Sequence, residues 1–130
     1  MKLIKEIKSK EGKVHFRRWE ILKTPWFSIW LHGIYAADKD LHLHNHPWDF
    51  KSIVIKGSYI EETENGPVKQ YPGKFNSRDG NSFHKIKSLL SSAVYTLFFV
   101  GKQKREWGYK VNGSFIDNQT YRKLKNDGKL

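Results

Sequence analysis

Histidines are concentrated in the middle of the chain, at a spacing that could place several imidazoles on one metal ion. Five of the six histidines lie between positions 32 and 84, and His42, His44 and His46 are separated by single residues. In a β-strand, side chains at i, i+2 and i+4 point to the same face. These three imidazoles are therefore predicted to project together, and neutral imidazole is a ligand of zinc, iron, nickel and copper.

The remaining ligand of such a site has to come from another strand. His84 is the candidate, because it stands alone in a later strand-like segment. The residues alone therefore predict a metal site made of His44, His46 and His84. The alternative interpretation is that these histidines are polar residues on a solvent-facing strand. His32, which lies in an earlier strand, is expected to be a packed or surface histidine rather than a ligand.

The elements that must position these side chains are predicted to be strands, because period-two alternation of apolar and polar residues dominates the chain. A loop rich in Gly, Asn, Ser and Asp is expected up to residue 81, and residues 119–125 could form a short C-terminal helix. Closely spaced strands with almost no helix predict an all-β sandwich or barrel, since crossover helices of a parallel sheet have no room. The predicted strands are 13–22, 26–37, 41–46, 50–56, 58–64, 68–71, 83–89, 93–100 and 107–111.

Composition bounds the chemistry further. The 130 residues fit one domain. There is no cysteine, which excludes disulfides, thiolate metal sites and cysteine nucleophiles. No apolar run approaches the roughly 20 residues of a membrane span, and the N-terminus lacks the apolar stretch of a signal peptide. We therefore expect a cytoplasmic protein with no membrane partner.

The net charge of +11 is carried almost entirely by the two ends of the chain. Residues 1–24 and residues 102–130 each have eight basic and three acidic side chains. If the ends meet in the fold, they form one basic face. Such a face is either a solubilising surface or a surface that attracts a nucleotide or nucleic acid.

Several short motifs together resemble one family. They are the run His44-Asn45-His46-Pro47-Trp48, the run Gly57-Ser58-Tyr59-Ile60-Glu61-Glu62, the run Phe83-His84-Lys85-Ile86 and a later aromatic and basic stretch over 95–109. In combination they resemble the small single-domain cupins of bacteria and tailed phages, most of which have no assigned function. The resemblance covers roughly 25–112 and implies one cupin domain over 1–130. It further implies a double-stranded β-helix, that is, a jelly-roll barrel with a metal near its middle, and often a homodimer.

The sequence departs from the family pattern at one ligand. A cupin first motif carries a Glu a few residues after its second His, but Phe50 or Lys51 stands there. If His42 and His44 were the pair instead, Asp49 would lie at the expected distance, so Asp49 stays a candidate ligand. Glu61 on the neighbouring strand is another. A site of three histidines without a carboxylate resembles the thiol-dioxygenase branch of the cupins, which binds ferrous iron.

The resemblance and the histidines predict a metal-dependent oxygenase acting on a small anionic molecule. Fe(II) is the expected metal, with Zn, Ni or Mn as alternatives. Glu61 and Tyr59 are the candidate catalytic residues. Two other readings remain open: a metal-independent sugar-nucleotide isomerase or epimerase, with His84 or His44 as base and Tyr59 as acid, and a non-catalytic barrel that binds a ligand or nucleic acid. The candidate substrate-binding residues are Trp48, Arg78 and Arg105.

Overall fold

The computed structural model describes residues 1–130 and shows an almost entirely β protein with one short helix. All strand pairs are antiparallel. The elements are β1 (Lys2–Lys8), β2 (Val14–Lys23), β3 (Ser28–Ile34), β4 (Phe50–Lys56), β5 (Tyr59–Thr63), β6 (Gly66–Gln70), β7 (Phe75–Arg78), β8 (His84–Leu89), β9 (Val94–Val100), β10 (Gly108–Val111), β11 (Ser114–Asp117) and α1 (Asn118–Asn126).

The strands form two layers. One layer is a six-stranded sheet in the order β1-β2-β3-β9-β4-β7. The other contains the three strands β6-β5-β8 and the hairpin β10-β11. A single residue, His44, joins these two pieces, because it forms an antiparallel bridge to His84 on one side and to Tyr109 on the other. The all-β prediction is thereby confirmed, including the C-terminal helix.

The segment 41–46 was predicted to be a strand, and that prediction is wrong for all but its centre. The backbone of each residue there turns to a different partner: His44 N–H donates to the carbonyl of His84, Asn45 N–H to that of Gly108, and His46 N–H to that of Gly80. A strand needs a continuous ladder to one neighbour. The segment is instead an irregular bridge between β8, β10 and the loop before β8.

Three strands were not predicted. β7 lies in the polar segment that was assigned to a loop, and it pairs with β4. β1 is an edge strand, and all of its residues are solvent-exposed. It therefore has no buried face that a pattern of apolar residues would reveal in the sequence. β11 pairs with β10 through Asn112 and Gly113, which both have positive φ. An Asn-Gly pair favours a tight hairpin turn, so the sequence contains a signal for this hairpin that the predicted strands do not include.

The space between the layers is divided along the strands. At one end, Ile34, Val54 and Val94 form a buried apolar cluster, and partly buried side chains cover it: Phe16, Tyr59, Ile86 and Leu89. Towards the other end of the six-stranded sheet the inward residues become aromatic and polar, beginning with His32 and Phe98, whose ring centroids are 4.2 Å apart. The apolar cluster stabilises one end of the barrel, and the other end is lined by aromatic and polar side chains.

Helix α1 docks beside β10. Asp117 caps it by accepting hydrogen bonds from the backbone of Gln119 and Thr120. The buried ring of Tyr121 stacks on Tyr109 with centroids 3.7 Å apart. At nine residues the helix is far too short to cross a bilayer, and the structure contains no helix that could.

Gly80 is the point where the loop before β8 approaches the histidine segment. Its carbonyl accepts the hydrogen bond from His46, and its N–H donates to the Asp49 carboxylate at 2.9 Å. A Cβ atom at this position would overlap the backbone oxygens of Trp48 and His46. A side chain here therefore has to push the loop away from the segment that carries the ligands.

We expect Gly80→Ala to lower the free energy of unfolding by about 2 kcal/mol, because backbone atoms cannot rotate away from the added methyl group. Urea denaturation of the purified variant measures this change. Gly101→Ala is the matched control, since a Cβ there meets only one backbone oxygen, at the ordinary contact distance of 3.9 Å. Equal stabilities of the two variants would contradict the assigned role of Gly80.

Candidate metal centre

His44 and His84 lie directly opposite each other on adjacent backbone segments. The N–H of His44 donates to the carbonyl of His84 at 2.9 Å, and the N–H of His84 donates back to His44 at 2.8 Å. Opposed residues of an antiparallel pair project to the same side. Their imidazole rings consequently lie side by side, with centroids 5.0 Å apart.

His46 completes the group. Its ring stacks on the indole of Trp48 at 4.7 Å with an interplanar angle of 7°. Its Nε2 lies 2.7 Å from Nε2 of His84. One ligand nitrogen from each of His44, His46 and His84 lies within 4.8 Å of the others. At 2.7 Å these two nitrogens are at hydrogen-bond distance, so one of them carries a proton and the other accepts it.

A buried carboxylate fixes the third histidine. Nδ1 of His84 lies 2.5 Å from Oε2 of Glu61, and Glu61 is only 3% exposed. An ionised carboxylate only accepts, so Nδ1 of His84 carries the hydrogen and Nε2 is turned to the other histidines. This is the carboxylate–histidine arrangement that orients metal ligands and raises their basicity.

Glu61 is itself held from two sides. Arg78 donates to both of its oxygens, at 2.5 and 2.6 Å, and Gln70 donates to Oε1 at 3.1 Å. Burial by itself would raise the pKa of Glu61, but the hydrogen bonds from His84 and Arg78 outweigh it and lower the pKa to about 2. Glu61 is therefore ionised at neutral pH and holds the Nδ1 side of the His84 ring in place.

The electrostatics keep two of the ligands neutral. Burial lowers the pKa of His44 to about 3, and the neighbouring His84 acts in the same direction. Burial also holds the pKa of His46 well below its ordinary value, again helped by His84 and His44. Neutral imidazole has the free lone pair that a metal needs. Three nitrogen donors, converging and partly buried, fit a divalent first-row transition metal.

The structure does not bring the other two candidate ligands into this group. Glu61 contacts the far nitrogen of His84, as described above. The carboxylate of Asp49 accepts from the backbone of Gly80 and pairs with Lys104 at 3.0 Å and Arg105 at 2.9 Å. These hydrogen bonds hold the pKa of Asp49 well below its usual range. His42 also turns aside, because its Nδ1 bonds the hydroxyl of Tyr121 at 2.9 Å.

The predicted substrate-binding residues have structural partners. Arg78 is tied to Glu61, and Arg105 donates to Asp49 and to the carbonyl of His46. Neither guanidinium is left free for an anion. Trp48 lies against the ring of His46, so it supports a candidate ligand directly.

Tyr59 has no hydrogen bond to the histidine cluster. It packs against the apolar cluster of Ile34, Val54 and Val94. Burial, followed by the nearby charge of Glu61, raises its pKa.

Two residues that hold the site were not singled out from the sequence. Gln70 has no exposed surface and connects Glu61 to Asn76. Asn45 is 3% exposed and accepts from the backbone of Gly108 at 2.7 Å, which fixes β10 against the histidine segment. Asn45 stands inside the His-x-His motif, so its position offered a signal. Gln70 offered none, because a glutamine in a polar strand is not distinguished by spacing.

Comparisons with solved structures define the class of fold. A putative mannose-6-phosphate isomerase from Ralstonia eutropha aligns with a TM-score of 0.59 and 16% identity, covering 67% of this chain and 84% of that one. An uncharacterised double-stranded β-helix protein from Klebsiella pneumoniae gives 0.57 and 14%, covering 73% and 84%. The Fe(II) form of HppE gives 0.59 and 8%, covering 74% and 55%.

Other matched structures are described as cupins. The chain therefore has the cupin double-stranded β-helix fold. No protein-family model and no curated protein matches the sequence. At these identities the likeness establishes the fold and leaves the activity to be argued from the site.

We expect Glu61→Gln to weaken metal affinity by about tenfold to a hundredfold, because the amide no longer supplies the negative charge that orients and polarises His84. Competition with a chromophoric chelator measures the affinity. Glu62→Gln is the control: this neighbour on β5 points to the other face and makes only a 4.0 Å pair with Lys87. Equal affinities of the two variants would exclude the role given to Glu61.

Proposed function

We propose that this protein is a metal-dependent oxygenase that acts on a small anionic substrate and holds Fe(II) with His44, His46 and His84. The observation that carries the proposal is the convergence of three imidazole nitrogens within 4.8 Å, one of them oriented by a buried carboxylate. A hydrogen-bonded carboxylate behind a histidine is costly to bury and has a clear purpose when the histidine is a ligand.

The donor set favours iron over the alternatives. Three neutral nitrogens leave several positions open on a six-coordinate Fe(II), enough for substrate and dioxygen together, whereas tetrahedral zinc would keep only one open position, for a water. The Fe(II) form of HppE has the same fold, which supports the proposal of a ferrous ion here. Bound Fe(II) would supply open positions for substrate and dioxygen and the electrons that activate dioxygen, which is the oxidant.

The residues of the chain perform the remaining tasks. Glu61 holds the Nδ1 proton of His84, so the Nε2 lone pair stays directed at the site. The stacked indole of Trp48 and the edge-on ring of Phe50 restrain His46 and keep water from that side. Shielding this side of the site favours controlled oxidation, because competing reactions with solvent are reduced.

A metal-independent isomerase is the second candidate. A putative mannose-6-phosphate isomerase is among the structural matches. In this reading His84 or His44 removes a proton and Tyr59 donates one. Burial raises the pKa of Tyr59 and keeps its proton in place at neutral pH. Against it, Tyr59 packs in the apolar cluster rather than beside the histidines.

We expect near-stoichiometric iron in protein that is purified without chelators or a histidine tag, and at least a tenfold loss of it in His44→Ala and His84→Ala, because two nitrogen ligands bind far more weakly than three. Elemental analysis gives the metal content. His42→Ala is the matched control, since His42 lies in the same segment but bonds Tyr121, and it should retain the metal.

The outcomes separate the candidate functions. Iron that is lost only in the two ligand variants supports the oxygenase, and oxygen uptake with a panel of small acids then identifies substrates. Stoichiometric zinc would move the proposal to hydrolytic or structural roles. Wild-type protein without metal would overturn it and favour the isomerase or a non-catalytic binding protein. Sugar-phosphate isomerisation that survives strong chelation would distinguish the isomerase.

A further inference from the structure

A row of four side chains crosses the inner face of the six-stranded sheet. Lys5 on β1 pairs with Arg18 on β2, Arg18 with His32 on β3, and His32 with Thr96 on β9. Residues opposite each other in antiparallel strands share a face. This face points inward, because His32 is 5% and Thr96 2% exposed. Lys5 lies at the exposed edge of the row, and Arg18 lies deeper.

Arg18 is a half-buried cation without a carboxylate partner. Its Nε donates to Nε2 of His32 at 2.9 Å, and its guanidinium lies 4.1 Å from the ring centroid of Trp30. Neither Arg18 nor Lys5 takes part in any ion pair of the structure. Burial lowers the pKa of Arg18 to about 10. Holding an unpaired charge in this way costs stability, which is typical of a binding site.

The guanidinium lies close to the candidate metal ligands. It is 5.8 Å from the ring centroid of Trp48, and Trp48 is the indole that stacks on His46. The rings of Trp30 and Trp48 meet edge to face at 5.3 Å. Two aromatic rings therefore connect Arg18 to the histidine cluster, a span that a small molecule can cover.

Two polar groups on the same inner face as Arg18 lack hydrogen-bond partners. Nε1 of Trp30 and Oγ1 of Thr96 are buried without a hydrogen-bond partner. The Nε2 lone pair of His32 is already taken by Arg18. Burial, then the charges of Arg18 and Lys5, holds the pKa of His32 well below its ordinary value, so His32 adds no further positive charge. The indole N–H of Trp30 can only donate and the hydroxyl of Thr96 can also donate, so an acceptor would satisfy both.

The C-terminal helix adds a cation within electrostatic range of Lys5. Burial lowers the pKa of Lys5, and the charges of Arg18 and of Arg122 on α1 add to the effect. The N-terminal strand and the C-terminal helix thus both contribute cations near this edge. A positive field at the entrance attracts anions and raises their local concentration.

We propose that Arg18, assisted by Lys5, is the binding site for the carboxylate or phosphate group of the substrate, whose reactive part then reaches His44, His46 and His84. The placement of the reactive part at the histidines rests on the proposed function. The anion site itself depends only on the surroundings of Arg18. Because Nε of Arg18 is engaged by His32, its two Nη groups are left for a forked interaction with an oxyanion. Arg78 and Arg105 cannot serve here, since carboxylates already neutralise both.

The test is calorimetric titration with two probes, inorganic phosphate and malonate, on wild type, Arg18→Met and Arg17→Met. Arg17 is the matched control: it is the next residue on β2, faces outward and pairs with Glu6 at 2.7 Å. We expect Arg18→Met to weaken binding of the preferred probe by about tenfold or more, as loss of a charge-assisted pair does. Arg17→Met should stay within about twofold, the effect of one remote charge.

Metal is removed before one set of titrations and retained in another, and metal content is measured for every sample. Retained binding in the metal-free set shows that the probe does not simply ligate the metal. Phosphate and malonate affinities distinguish a phosphate substrate from a carboxylate. Arg18→Lys, which keeps the charge without the fork, should weaken binding less than Arg18→Met. Lys5→Met, at an exposed position that folding does not need, should weaken it by about threefold.

The results separate the two proposals. The inference is overturned if wild type and Arg18→Met bind both probes equally well. It is also overturned if wild type binds neither probe, whether or not the metal is present. Loss of binding in Arg18→Met with unchanged metal content supports both proposals. A wild type without metal whose anion binding still depends on Arg18 would overturn the proposed oxygenase and leave the anion site standing.

Discussion

The pair of backbone hydrogen bonds between His44 and His84 is the contact on which the rest of the site depends. It joins β8 to the histidine segment, and His44 in turn joins that segment to β10 through Tyr109. The same residues close the second layer of the barrel and carry the candidate ligands. Opposed residues share a face, so closing the layer also places the imidazoles of His44 and His84 side by side. No further contact is needed to align them. Folding and assembly of the site are thus one process.

Ion pairing within the protein decides which of its cationic side chains are free to bind an anionic molecule. The buried carboxylate of Glu61 neutralises Arg78 and orients His84, and Asp49 neutralises Arg105 at the rim. Arg18 is the arginine near the site that no carboxylate neutralises, although its surroundings penalise the charge. Natural proteins keep such uncompensated groups where function requires them, at a cost in stability. The proposed anion site follows from this imbalance rather than from the number of basic residues.

The barrel separates its apolar cluster from its candidate metal ligands along its length. The cluster of Ile34, Val54 and Val94 is small, since only 16 of 130 residues are buried. Aromatic rings make up for this at the other end, where Trp30, Trp48 and Phe50 pack edge to face. Rings of this kind provide large contact areas with fixed orientations. They can therefore hold the histidines in fixed positions. A core of aliphatic side chains would instead fill the space beside them.

The sequence by itself determined the β architecture, the three histidines and the resemblance to cupins. Alternation and His-x-His spacing are local patterns, and local patterns can be seen without knowing long-range contacts. Tertiary structure alone decided what the charged residues do. Arg18, Arg78 and Arg105 are equivalent in the sequence, but their partners are 14, 17 and 56 residues away. Whether a cation is neutralised or free depends on which distant groups the strand pairing brings to it, and spacing along the chain does not contain that information.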